Sequence, residues 1–192
     1  LRQWAVPGHG FQRRHGGIPV APHRHGASTG RLTPCTGRVN VGDHTAVASM
    51  AVNWRRVGAS TGPPSGEGGA AERDYAAALA FLADRVDAPR WACGYSFGGA
   101  TAIRAAAADP GVDRLVLVAP PASMIDAERM QRCEGRIFLA VGENDDLVQH
   151  GELEALVSGL PRAYFCALAE TDHFFATAGL PQLAAELGRW LE

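Results

Sequence analysis

Residues 91–100 read Trp91-Ala92-Cys93-Gly94-Tyr95-Ser96-Phe97-Gly98-Gly99-Ala100. A short apolar run enters a serine bracketed by glycines, and an alanine-rich stretch follows at once. That order predicts a strand over 91–95, a sharp turn at Ser96 and a helix over 97–108, which Asp109-Pro110 ends. Gly94 and Gly98 are expected to remove Cβ atoms that would collide across the turn, and Ser96 to accept an uncommon φ/ψ. Such a turn lifts the serine Oγ clear of the sheet and sets it beside a helix N-terminus, whose first N–H groups lack intrahelical acceptors. A Gly-x-Ser-x-Gly pattern elsewhere is merely a turn that opens a helix; this strand–turn–helix setting is what gives it weight as a nucleophile elbow.

The chain on either side decides what surrounds that turn. From residue 47 the pattern is regular. Strands are expected over 47–54, 112–119, 136–141 and 163–168, in addition to 91–95. Helices are expected over 70–86, 124–132, 152–158 and 180–191. The 70–86 segment carries Tyr75, Leu79, Leu82 and Val86 along one stripe. The 112–119 run is almost wholly apolar and stops at Pro120-Pro121, as a strand buried on both faces does. Strands alternating with helices at this spacing predict an α/β fold, a mostly parallel sheet with helices on both faces.

Residues 1–45 are different. Val6-Pro7-Gly8, Gly16-Gly17, Pro22, Gly30 and Pro34 interrupt every apolar run, and the best strand candidate is Ile18-Pro19-Val20-Ala21. The chain therefore divides into an irregular segment over 1–45 and one domain over 46–192. The Arg/Gly/His/Pro/Thr-heavy composition of 1–45 is read as that of a disordered segment or of a displaced reading frame in a GC-rich gene.

Charge and cysteine content narrow the function. The net charge is −2 over 192 residues, and all 18 basic residues are Arg. Eight of those Arg and a single acid, Asp43, fall within residues 1–66. They are scattered without a helical face or aromatic interleaving, which argues against nucleic-acid binding. No apolar run reaches the roughly 18 residues of a membrane span. Leu1 to Gly10 lacks a basic start followed by an apolar core, so no secretory leader is expected. Cys35, Cys93, Cys133 and Cys166 form no Cys-x-x-Cys pair; Cys93 and Cys166 read as small buried hydrophobes in strands, and a cytoplasmic location is expected. No cluster has metal-ligand spacing and no dinucleotide fingerprint follows a strand, so no cofactor is implied.

Ligands of such sheets bind beyond the carboxyl ends of the strands. Three polar signals sit there: Ser96, then Gly142-Glu143-Asn144-Asp145-Asp146, then Glu170-Thr171-Asp172-His173-Phe174-Phe175. A serine hydroxyl needs a base to take its proton, and the base needs an acid to fix its tautomer. Ser96, Asp145 and His173 supply all three after three separate strands. Asp146 competes with Asp145, and His150, at the start of a helix, competes with His173. The Phe97 N–H is the expected oxyanion donor.

These motifs resemble the α/β-hydrolase family, in particular its small lidless bacterial serine hydrolases. The family's elbow, its Gly-x-x-Asp and its Asp-His-Phe-Phe loop appear as Gly94-Tyr95-Ser96-Phe97-Gly98-Gly99, Gly142-Glu143-Asn144-Asp145 and Asp172-His173-Phe174-Phe175. Asn53 to Gly62 is similar to a post-strand motif of the family, with Arg56 where that motif has glycine. The resemblance covers about residues 47–192. It implies a further strand between those at 47–54 and 91–95, followed by a His-Pro loop giving a second oxyanion donor. Pro22-His23-Arg24-His25-Gly26 is only a faint echo of that loop, so the N-terminal strands are missing or degenerate. Expected from all this is a serine hydrolase cleaving a small acyl ester through an acyl-enzyme, with no nucleic acid, membrane or cofactor involved. A catalytically silent or defective relative is the alternative, and a peptidase or thioesterase with the same three residues the lesser one. Phe174, Phe175, Trp54, Tyr95 and Met124 are candidates for the pocket wall or, equally, for core packing. The short connection between the 112–119 and 136–141 strands leaves no space for a lid domain.

Overall fold

The computed structural model describes residues 18–19, 31–41, 45–64, 69–176 and 178–192. Four parallel strands form the main sheet in the order β4-β5-β6-β7: β4 (Arg90–Tyr95), β5 (Val112–Val118), β6 (Arg136–Gly142) and β7 (Ala163–Leu168). Their period-two patterning loads both faces. Leu115, Leu117, Ile137, Leu139 and Val141 pack on one side with Ile103 of α2 (Phe97–Ala106) and with Leu153 and Val157 of α4 (His150–Val157). Val116, Phe138 and Ala140 point to the other side and meet Trp190 and Leu187 of α5 (Gly179–Leu191).

An antiparallel sheet in the order β1-β2-β3 precedes it: β1 (Ile18–Pro19), β2 (Arg31–Val41) and β3 (Thr45–Asn53). The expectation that 1–45 is irregular is corrected here over 31–41, which runs in register with β3 from Thr33↔Asn53 to Val41↔Thr45. Pro34 and Gly37 weaken the apolar signal, yet both keep the register, Pro34 opposite Val52 and Gly37 opposite Ser49. Residues 1–17, 20–30 and 42–44, Pro22 to Gly26 among them, lie outside the described residues.

Among the described residues no strand lies between β3 and β4. Side chains join the two sheets instead. Met50 and Val52 of β3 pack on Ala77 and Phe81 of α1 (Gly69–Ala83). Arg55, just past β3, is buried against the buried Asp74 of α1, Nε to Oδ1 2.9 Å, and also donates to the Ala70 carbonyl at 3.2 Å. From the same helix the Tyr75 hydroxyl donates to the Cys93 carbonyl at 2.8 Å, and its ring lies against Trp54.

Two further expectations change. The helix expected over 124–132 splits into a 3₁₀ turn, Ala122–Met124, and α3 (Ala127–Arg132). Ile125 and Asp126 are extended between them, and Asp126 caps α3 by accepting from the Arg129 N–H. An Asp side chain at that point competes with helix continuation and favours a new start. Cys93, expected buried, is exposed. Its register partner on β5, Val116, packs with Trp190 of α5, whereas Cys93 lies outside that cluster.

The buried ion pair gives a test of how β3 is attached. Asp74→Ala strands a guanidinium in the interior and should lower unfolding free energy by about 3–5 kcal/mol, read from urea denaturation.

Candidate active site

The elbow forms because β4 runs into α2 with a single residue between them. Ser96 has φ 51° and ψ −125°, a left-handed-side conformation that side chains disfavour. Its N–H extends the β4–β5 ladder by bonding the Val118 carbonyl at 2.8 Å. A Cβ on Gly94 would stand 2.3 Å from the Gly98 carbonyl oxygen, so only glycine fits. Gly98 itself faces open space, which corrects its expected role; the second close approach belongs to Gly99, whose added Cβ would meet Pro120 at 3.1 Å and the Gly94 carbonyl at 3.3 Å. Phe97 is the first residue of α2, so its N–H belongs to the turn without intrahelical acceptors.

Asp145 follows β6. Its side chain is buried, and Oδ1 accepts from the N–H groups of Leu147 at 2.9 Å and Val148 at 3.0 Å. Oδ2 is left to face His173 Nδ1 at 2.7 Å. The loop carrying His173 crosses directly over the Asp145 loop. Gly142 makes this possible, since a Cβ there would lie 2.1 Å from the Thr171 carbonyl oxygen, and the Asn144 N–H bonds that same oxygen at 3.0 Å. The buried His173 then reaches Ser96, Nε2 to Oγ 3.1 Å. Three loops from three neighbouring strand ends thus make one hydrogen-bonded line. With Nδ1 protonated toward Asp145, Nε2 presents its lone pair to the serine hydroxyl.

The competing candidates are elsewhere. Asp146 is exposed, and His150 is the exposed first residue of α4. Of the aromatic wall candidates, Phe175 is only 1% exposed and belongs to the core, whereas Phe174 is 67% exposed with its ring edge-on to the His173 imidazole. Trp54 lies edge-on to Phe97, ring centroids 5.6 Å apart, on the side of the elbow toward β3. Met124 is half-buried in the connection after β5. That connection holds one 3₁₀ turn and the six-residue α3, with no lid. Arg56, where the related motif has glycine, adopts φ 66°. The backbone keeps the turn that glycine favours, at a cost of about 1–2 kcal/mol. Tyr95 was named only as a wall candidate, but its hydroxyl donates to the His173 carbonyl at 2.8 Å. No sequence pattern marks that contact, which joins residues far apart in the chain. Among the described residues no group of three or more His, Cys, Asp and Glu is placed to hold a metal ion.

A family model described as "Dienelactone hydrolase family" matches residues 65–177, a stretch that contains Ser96, Asp145 and His173. The chain belongs to the dienelactone hydrolase family. It is therefore a hydrolase with an α/β-hydrolase fold. Solved structures agree on the fold. This dienelactone hydrolase family member is similar to an α/β serine hydrolase homologue from Coxiella burnetii, with TM-score 0.70, 17% identity, and 95% of this chain and 100% of that one covered. It is similar to a lidless α/β serine hydrolase from Xanthomonas campestris, with TM-score 0.68, 18% identity and coverage of 94% and 95%. A dienelactone hydrolase from Anabaena variabilis aligns with TM-score 0.67, 16% identity and coverage of 95% and 97%. No curated protein matches significantly. No described helix is long and apolar enough to cross a membrane.

Gly94→Ala should destabilise the protein by about 1–3 kcal/mol or more, as overpacking against backbone does. Gly98→Ala, facing open space, should leave the melting temperature nearly unchanged. A differential scan of the two variants checks the assignment.

Proposed function

We propose that this hydrolase cleaves small acyl esters through a covalent acyl-enzyme, with Ser96 as nucleophile, His173 as base and acid, and Asp145 as the group that orients His173. The observation that carries the reading is the unbroken line from Asp145 Oδ2 to His173 Nδ1 at 2.7 Å and from His173 Nε2 to Ser96 Oγ at 3.1 Å. As Oγ bonds to the acyl carbon, Nε2 takes the hydroxyl proton. The ester C–O bond then breaks, and Nε2 returns the proton to the departing alkoxide. Water repeats the sequence and frees the acid. Asp145 orients the imidazole throughout, its Oδ1 held by two backbone N–H groups and its Oδ2 facing Nδ1. The Phe97 N–H at the start of α2 stabilises the oxyanion.

Ester chemistry is supported by the family's description, since a lactone is a cyclic ester. The lidless connection after β5 supports an open site for small substrates. The silent alternative turns on the second oxyanion donor. No described strand separates β3 from β4, so the loop expected to give a second oxyanion donor has no described strand to carry it. Loss of one such donor costs roughly 10²–10³ in rate, which weakens catalysis without abolishing it.

A fluorophosphonate probe should label the wild type and not Ser96→Ala, and p-nitrophenyl acetate turnover in that variant should fall by about 10⁶ in kcat. Folded wild type that takes no label identifies the silent alternative. Asp145→Asn should lower kcat by about 10⁴ through the wrong imidazole tautomer, while Asp146→Asn leaves it unchanged. Acetate should be preferred to a long-chain ester; comparable turnover of the two argues against an open site for small substrates.

A further inference from the structure

We propose that Tyr95 is a positioning residue that sets the distance between the nucleophile and its base. This rests on the serine hydrolase reading above. Tyr95 ends β4 and immediately precedes Ser96, so its backbone moves with the nucleophile. Its side chain reaches the opposite partner: the hydroxyl donates to the backbone carbonyl of His173 at 2.8 Å, and its ring lies 5.3 Å from the imidazole. The far side of the loop is held by the same ring, edge-on to the buried Phe175 with centroids 6.4 Å apart.

The His173 loop needs such a fastening. Glu170 and Phe175, on either side of His173, adopt φ 52° and 55°, a region disfavoured for residues with a Cβ. The Asn144 N–H fastens the loop to the acid side through Thr171, and the Asp172 carboxylate braces it internally by accepting from the N–H groups of Phe174 and Ala176. Neither of these bonds refers the loop to Ser96. The Tyr95 hydroxyl does. Burial, with the charges of Asp145 and Asp172, pushes its pKa above the usual value, so it remains a donor throughout the neutral range.

Tyr95→Phe keeps the ring and removes only the hydroxyl. With p-nitrophenyl acetate, kcat should fall about tenfold, as a small misplacement of reacting groups does, with KM unchanged. The rate of fluorophosphonate labelling should fall by the same factor, and a thermal scan should show the variant folded. A labelled wild type with kcat and labelling rate unaltered in Tyr95→Phe overturns the proposal and leaves the serine hydrolase reading intact. So does a rise in KM with kcat constant, which would make Tyr95 a substrate contact. An unlabelled wild type removes the serine hydrolase reading itself and this proposal with it.

Discussion

Ser96 keeps a backbone conformation that an isolated peptide would leave, and the hydrogen bond from its N–H to the Val118 carbonyl is what holds it there. That bond belongs to the β4–β5 ladder, carried one residue beyond the strand. The strain at the serine is therefore set against a ladder that is itself held between two packed faces. Ile103 of α2 sits in the larger cluster with Leu115 and Leu117, so the helix that begins at the elbow is anchored by the same strands that position the serine. The half-buried serine thus stands on strands and a helix that share one core.

Asp145 and His173 are held by a different logic. Both come from loops, and loops are positioned by what crosses them. Gly142 lets the β7 loop lie directly on the β6 loop, and the Asn144 N–H locks that crossing through the Thr171 carbonyl. The Asp145 carboxylate then has two backbone donors on one oxygen and the imidazole on the other. A buried carboxylate needs hydrogen-bond donors on its oxygens, and both oxygens of this one have a partner. Sheet order explains the rest: β4, β6 and β7 lie in one parallel sheet, so their carboxyl ends deliver three distant segments to the same side.

Much of this was legible in the sequence, and the failures have physical causes. The elements from β4 onward follow apolar periodicity, and their boundaries fall within a few residues because burial on both faces leaves a strong signal. The residues at Ser96, Asp145 and His173 were legible because each follows a strand. β2 was not, since Pro34 and Gly37 imitate a loop. The helix expected over 124–132 ignored Asp126, whose side chain serves a new N-terminus better than a helix interior. Gly98 was credited with a steric role that belongs to Gly99, because a pattern of alternating glycines does not reveal which Cβ has room. The Arg55–Asp74 pair and the Tyr95 hydroxyl bond were invisible for a common reason. Both join residues from elements that only the folded chain brings together.

The attachment of β3 carries the last consequence. A strand inside a sheet is usually fixed by two ladders, and among the described residues β3 has one, to β2. Its described contacts on the side of the elbow come from side chains of α1: Asp74 on Arg55, Tyr75 on Trp54, and Ala77 and Phe81 on Met50 and Val52. Tyr75 also donates to the Cys93 carbonyl of β4, so one helix touches both sides of the interval where the related fold would place a strand. Side-chain pins fix position less uniformly than a ladder does, because each acts at one point while backbone bonds act at every second residue. The elbow and its two partner loops do not depend on those pins, since their strands are paired in the main sheet. Trp54, resting on Phe97, does depend on them. The Phe97 side of the elbow is thus the part of this site that rests on a residue held by α1, while the line from Asp145 to Ser96 follows the sheet.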